Sequence, residues 1–249
     1  MFCNLFVTAE YYLDNDDIDS SQKWLNITKD ILNPSITDST DCFVNSLQSE
    51  LFYYNGLFQF GKDEARKQIV VAQKIKDSLL IADGYFFLGI NQFELGDYSN
   101  AQKSLWISRK IYPKLKPSKR MRFTIQNEHI YNNLAQAKIK LHQLDSAFWY
   151  NKKAYEFAVK SNSRRGIPNT EQTFGEIYLI QKKTDSASFY FNKSIASAYE
   201  SRYYDIVLVN YGFLMECYKD NHQLCEQYYN KGILLTEQHI INSAFKNLA

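Results

Sequence analysis

An all-α fold is what this sequence predicts, and three observations predict it. Glycine and proline are scarce, nine and four in 249 residues, so few breaks interrupt the chain. Apolar residues recur at helical spacing, while runs that alternate apolar and polar residues are few. Small residues also recur in pairs twelve positions apart, Gly89 with Ala101, Ala135 with Ala147 and Gly175 with Ala187. That spacing fits two antiparallel helices crossing near their small side chains.

The segment "GYFFLGINQFELGDYSNAQKSLWISRKIYP" states the arrangement most fully. Tyr85, Leu88, Gly89 and Gln92 fall on one helical stripe. Gly96 is placed to end that helix in the left-handed conformation glycine tolerates best. Asp97 is placed to cap a second helix, on which Ala101, Leu105 and Ser108 share a face. Pro113 stops it. A glycine inside a helix costs roughly 1 kcal/mol relative to alanine. The expected compensation at Gly89 is close approach of the partner helix.

Five further segments repeat the pattern in weaker form. "YYLDNDDIDSSQKWLNITKDIL" has Ser21 where the alanine belongs. "YYNGLFQFGKDEARKQIVVAQKI" offers Ala65 and Ala72 with a turn one residue shorter. The two copies after residue 127 keep both small residues but carry His142 and Lys182 at the turn. "YKDNHQLCEQYYNKGILL" has Cys225 in the alanine position. The anchors Ser21, Ala65, Ala101, Ala147, Ala187 and Cys225 then follow one another at uneven intervals.

In order, Tyr85, Leu88, Gly89, Gly96, Ala101 and Pro113 resemble the motif of the tetratricopeptide repeat family. Every interval between the anchors is longer than that family's strict repeat. The extra length lies between hairpins, in stretches such as "KLKPSKRMR" and "KSNSRRGIP". The chain is similar in this to the irregular sensor or regulatory modules of bacterial signalling proteins. The resemblance implies one domain over residues 1–249, a right-handed α-α superhelix. Its repeats would span about 1–33, 46–78, 82–115, 128–160, 168–200 and 206–238, with a C-terminal helix to 249. In this family the first helix of each pair lines a concave groove. The frame puts Phe86, Ile90, Phe93, Asn132, Asn133, Gln136, Gln172, Glu176 and Asn210 there as ligand-binding residues. Carboxamides suit an extended peptide, because each offers a donor and an acceptor to the peptide backbone. The family's carboxylate clamp is not expected: Asn133 has the residue type, but no Lys–Arg set accompanies it.

Composition narrows the function further. A net charge of +2 leaves no footprint for nucleic acid and no polybasic anchor. The basic run Lys114, Lys116, Lys119, Arg120 and Arg122 lies in a proline-marked stretch, with Pro113 and Pro117, and reads as a solvated connector. His129, His142, His222 and His239 lack metal-ligand spacing, and Cys3, Cys42, Cys217 and Cys225 form no CxxC pair. No phosphate loop, nucleophile elbow or HExxH motif occurs. The expectation is a non-enzymatic module without catalytic residues, metal or cofactor. Its partner would be a protein or peptide ligand. No membrane segment or signal peptide is read, so a cytoplasmic location is the default. A second expectation rests on Ile233, Leu234, Ile240, Ile241 and Phe245: a terminal helix with that stripe would serve self-association, as a scaffold or homodimer.

Overall fold

The computed structural model describes residues 2–14, 17–32, 37–114 and 126–246, with the backbone alone at 2, 3, 14, 32, 113 and 239–246. The expectations for Lys116 through Arg122 and for the side chains of Cys3, His239, Ile240, Ile241 and Phe245 lie outside the described residues. Among the described residues there are twelve α-helices and no strand. The chain divides into two compact units, 1–141 and 142–249.

In the first unit, α1 (Phe2–Asp14) pairs with α2 (Ile18–Leu32), α3 (Asp38–Tyr54) with α4 (Phe58–Lys74), and α5 (Ser78–Glu94) with α6 (Tyr98–Ile111). α7 (Asn127–Lys140) packs on α6 and α5. Local signals start the helices. Thr37 and Thr40 form a reciprocal capping box at α3, Asp77 caps α5, and Asp97 accepts from the Asn100 amide at α6, as its sequence position predicts. A short 3-10 turn, Tyr112–Lys114, follows α6.

The twelve-residue spacing is where paired helices cross. Ser21 Oγ donates to the Ala9 carbonyl at 2.8 Å, and Ser49 Oγ to the Gly61 carbonyl at 2.7 Å, each across twelve residues. A methyl group at Gly89 would lie 2.6 Å from Leu105 Cγ and 3.2 Å from the Ala101 carbonyl. These contacts correct the frame of the second repeat. Its anchor is Gly61, not Ala65, and its hairpin runs 38–74 rather than 46–78. Ala65 attracts the motif because alanine is the expected residue, but the backbone approach that the position requires is met by Gly61. Ser21, Gly61 and Ala101 then follow at equal intervals. Around these crossings Leu25, Leu47, Leu51, Leu80, Phe87, Leu105, Ile130 and Leu134 are fully buried.

In the second unit, α8 (Leu144–Ser161) packs on α9 (Gly166–Ile180), and α9 pairs with α10 (Thr184–Ser201). α11 (Tyr204–Cys217) packs on α10 and pairs with α12 (His222–Lys246). Gly175 lies against the Phe191 ring, so the small residue again marks a crossing. Phe191, Val207 and Leu214 are the centre of the core here, with Phe213 stacked on Phe191 at 4.9 Å. The turn residues repeat as well. Gly56 and Gly96 have φ of 71° and 78°, while His142 and Lys182 take φ of 56° and 59° without glycine.

Candidate ligand-binding face

Counting from the small residue of a first helix, the positions three before and one after it correspond between repeats. They are Ser46 and Glu50 on α3, Phe86 and Ile90 on α5, Asn132 and Gln136 on α7, and Gln172 and Glu176 on α9. One helical turn further on come Tyr53, Phe93, Ile139 and Leu179. Each set lies on one helix face.

In the first unit, Phe86 and Ile90 are only 4% and 7% exposed. They are core residues: Phe86 packs edge-on against Phe87 at 5.5 Å. Phe93 is half-buried, its ring 5.2 Å from Tyr98 of α6. Asn132 and Gln136 are half-buried on α7, and both are engaged by neighbouring groups. Asn133 turns its amide to the His129 carbonyl at 2.9 Å, within its own helix. At the edge of this face the Tyr53 hydroxyl donates to Glu94 at 3.4 Å. Burial pushes the Glu94 carboxyl up, while Tyr53 and the charge of Lys140 act to lower it.

In the second unit, Gln172 donates to Glu176 at 3.1 Å and accepts from Asn210 at 3.3 Å. Asn210 itself is 0% exposed. Its amide also reaches the Ile206 carbonyl at 2.7 Å and Ser194 Oγ at 3.0 Å, and Ser194 donates to the Pro168 carbonyl at 2.8 Å. Asn210 therefore ties α11 to α9 and α10 and is closed to a ligand.

Three of the nine expected groove residues, Phe86, Ile90 and Asn210, are thus corrected to packing positions. Neighbouring helices flank a first helix on both sides, so only a narrow strip of it stays open. The accessible remainder is Phe93, Asn132, Asn133 and Gln136 in one unit, and Gln172 and Glu176 in the other. Ser46 and Glu50, the corresponding pair on α3, are buried packing positions like Phe86 and Ile90, and sequence reasoning did not place them because the Ala65 anchor displaced that repeat's frame.

It also missed a polar cluster in the second unit. Glu171 is 1% exposed, lies 3.1 Å from Lys193 Nζ and accepts from Ser197 Oγ at 2.8 Å. Lys193 donates to the Tyr155 hydroxyl at 3.0 Å. Burial works against the Lys193 charge, but its bonds to Tyr155 and Glu171 hold the ammonium group above its ordinary range. Among the described residues no three His, Cys, Asp or Glu side chains are grouped to hold a metal. No described helix is long and apolar enough to cross a membrane.

No protein-family model matches the chain, and no curated protein matches its sequence. Solved structures do. A Rap protein complexed with competence and sporulation factor aligns with a TM-score of 0.71 at 13% identity, over 95% of this chain and 75% of that one. Aspartyl phosphate phosphatase F from Bacillus subtilis gives 0.67 at 15%, over 87% of this chain and 56% of that one. A signal transduction ATPase with a tetratricopeptide repeat sensor, from Pyrococcus horikoshii, gives 0.63 at 16%, over 96% and 37%. The fold is the tetratricopeptide-type helical repeat. Within that fold, the first helices of the tetratricopeptide-type pairs carry the strip described above. The turn residues keep one spacing in both units, Gly56 to Gly96 in the first and His142 to Lys182 in the second.

Proposed function

We propose that this chain is a non-enzymatic interaction module that binds an extended peptide or partner segment along its first-helix faces. We propose further that it serves as the sensor or interaction part of a bacterial regulatory protein. One observation carries the reading. Asn132 and Gln136 on α7 recur one repeat later as Gln172 and Glu176 on α9, half-buried polar side chains at matching positions. Taken unit by unit, a polar pair on a first helix, with apolar Phe93 on another first helix of the first unit, suits the backbone groups of an extended ligand. Two of the structural neighbours, a Rap protein complexed with a factor and an ATPase with a repeat sensor, support a regulatory setting.

The test treats each unit separately. The double variant Asn132→Ala/Gln136→Ala, and in the other unit Gln172→Ala/Glu176→Ala, should each weaken peptide binding about tenfold, by loss of two hydrogen bonds. Thermal stability should change little. Equal loss of binding and stability would make these residues structural. A phosphatase is among the neighbours, so release of phosphate from a phosphorylated protein by the purified chain would overturn the non-enzymatic part.

A second reading, a scaffold that self-associates, has its own observation. Ile233 and Leu234 on α12 are 43% and 56% exposed. Sedimentation at rising concentration, compared with Ile233→Glu/Leu234→Glu, tests it. A dimer lost in the variant supports it, and a monomer throughout removes it.

A further inference from the structure

An open cleft of about 590 Å³ lies between α3 and α4, and none of its lining residues belongs to the accessible strip described above. Asp41 and Asn45 of α3 line one side, and Arg66, Lys67, Val70 and Val71 of α4 the other. The repeat explains why it is there. Asn45 stands four residues before the small residue of its helix, the position of Tyr85 on α5, Tyr131 on α7 and Glu171 on α9. Those side chains are longer, and two of them are held by a neighbouring second helix. The Tyr131 hydroxyl accepts from Arg109 of α6 at 3.3 Å, and Glu171 pairs with Lys193 of α10 at 3.1 Å. Asn45 supplies neither ring nor charge, and space is left in front of it.

The cation of this junction is nonetheless kept. Lys67 occupies on α4 the position that Lys193 holds on α10. Lacking a carboxylate at Asn45, Lys67 pairs at 2.7 Å with Glu64 of its own helix, a surface i,i+3 contact of small worth. Arg66 lies beside it in the lining and is paired in the same way, at 3.5 Å with Asp63 of its own helix, a second exposed i,i+3 contact of small worth. Lys29 of α2 adjoins the same place: it donates to Gln48 at 2.7 Å, and the charges of Glu64, Lys67 and Asp41 act on it. Asp41 opposes an anion at its own end of the cleft; at the other end a ligand carboxylate would take Arg66 and Lys67 from their exposed partners Asp63 and Glu64.

We propose that this cleft binds an arylalkyl carboxylate, with the ring on Val70 and Val71 in the space left by Asn45. The carboxylate then sits on Lys67 and Arg66, as Glu171 sits on Lys193 in the second unit. The Asn45 amide donates to the ligand's polar edge. A chain-terminal aromatic residue and a free arylalkyl acid share this chemistry.

The experiment is a titration of the whole chain followed by amide NMR shifts. The probes are N-acetyltyrosine for a chain terminus, 3-phenylpropionate for a free acid, and N-acetyltyrosinamide as the uncharged control. Both acids should bind saturably and shift α3 and α4 amides, and the amide control should bind about tenfold more weakly, the loss of a charge-assisted bond. Tighter binding of N-acetyltyrosine than of 3-phenylpropionate identifies the terminus as the source, and the reverse identifies the free acid. Asn45→Tyr restores the repeat's ring and should abolish binding while leaving Tm unchanged or raised. Lys67→Met/Arg66→Met, at exposed positions, should weaken binding in a folded protein even if Asn45→Tyr does not fold. Equal affinity for acid and amide, shifts confined to other helices, or no saturation would overturn the proposal.

Discussion

A methyl group at Gly89 has nowhere to go: Leu105 Cγ would be 2.6 Å away and a backbone carbonyl 3.2 Å. Alanine would gain roughly 1 kcal/mol of helix propensity, but overpacking a crossing of this kind typically costs about 1–3 kcal/mol. Gly89→Ala should therefore lower stability, by about 1 kcal/mol net, in urea unfolding; a gain would mean the helices separate freely. The buried titratable groups make a second prediction at this scale. Burial, with nearby carboxylates, pushes the Cys42 thiol up to about 11, and burial does the same to Cys217, while Tyr112 is pushed up to about 12. In the unfolded chain these groups lose their protons near their ordinary values, 9.0 for the thiols and 10.0 for the phenol. Between those values and the folded ones the folded state holds more protons, so stability falls as pH rises from about 9 to about 12. Tm measured across that range should decline, less steeply in Cys42→Ala; a flat profile would contradict the assignment.

At the scale of the element, the hairpin is the unit, and its turn carries a definite backbone requirement. Gly56 and Gly96 meet it freely, but His142 and Lys182 hold φ of 56° and 59° with a side chain attached. Left-handed backbone at such residues costs about 1 kcal/mol. His142→Gly and Lys182→Gly should each raise stability, by about 0.5–1 kcal/mol, since the folded state is relieved by more than the unfolded state gains in entropy. Loss of stability in both would mean that the side chains make compensating contacts. The helices, the Gly89 crossing and the Asp97 cap were legible in the sequence because each rests on neighbours within a few residues. The second hairpin's frame was not, since Ala65 fits the motif by type and only the contact of Ser49 with Gly61 shows which residue approaches the partner helix. Asn210 was misplaced for the same reason. Its residue type suggests a ligand contact, and its burial depends on α9 and α10, which sequence spacing does not weigh.

For the molecule as a whole, recurrence is the link between the fold and the proposed function. Recurring hairpins give matching polar side chains to a first helix of each unit, and within the second unit Asn210 bonds to Gln172 and Ser194, tying α9, α10 and α11 together. Within each unit that strip is what an extended partner would read. The central claim is that these strips bind peptide, and native mass spectrometry of the purified chain with a peptide library tests it most directly. A peptide-sized adduct on the parent chain, lost in Asn132→Ala/Gln136→Ala, is the predicted result. An adduct retained by that variant and by Gln172→Ala/Glu176→Ala, or a dimer that takes up no peptide, would contradict it.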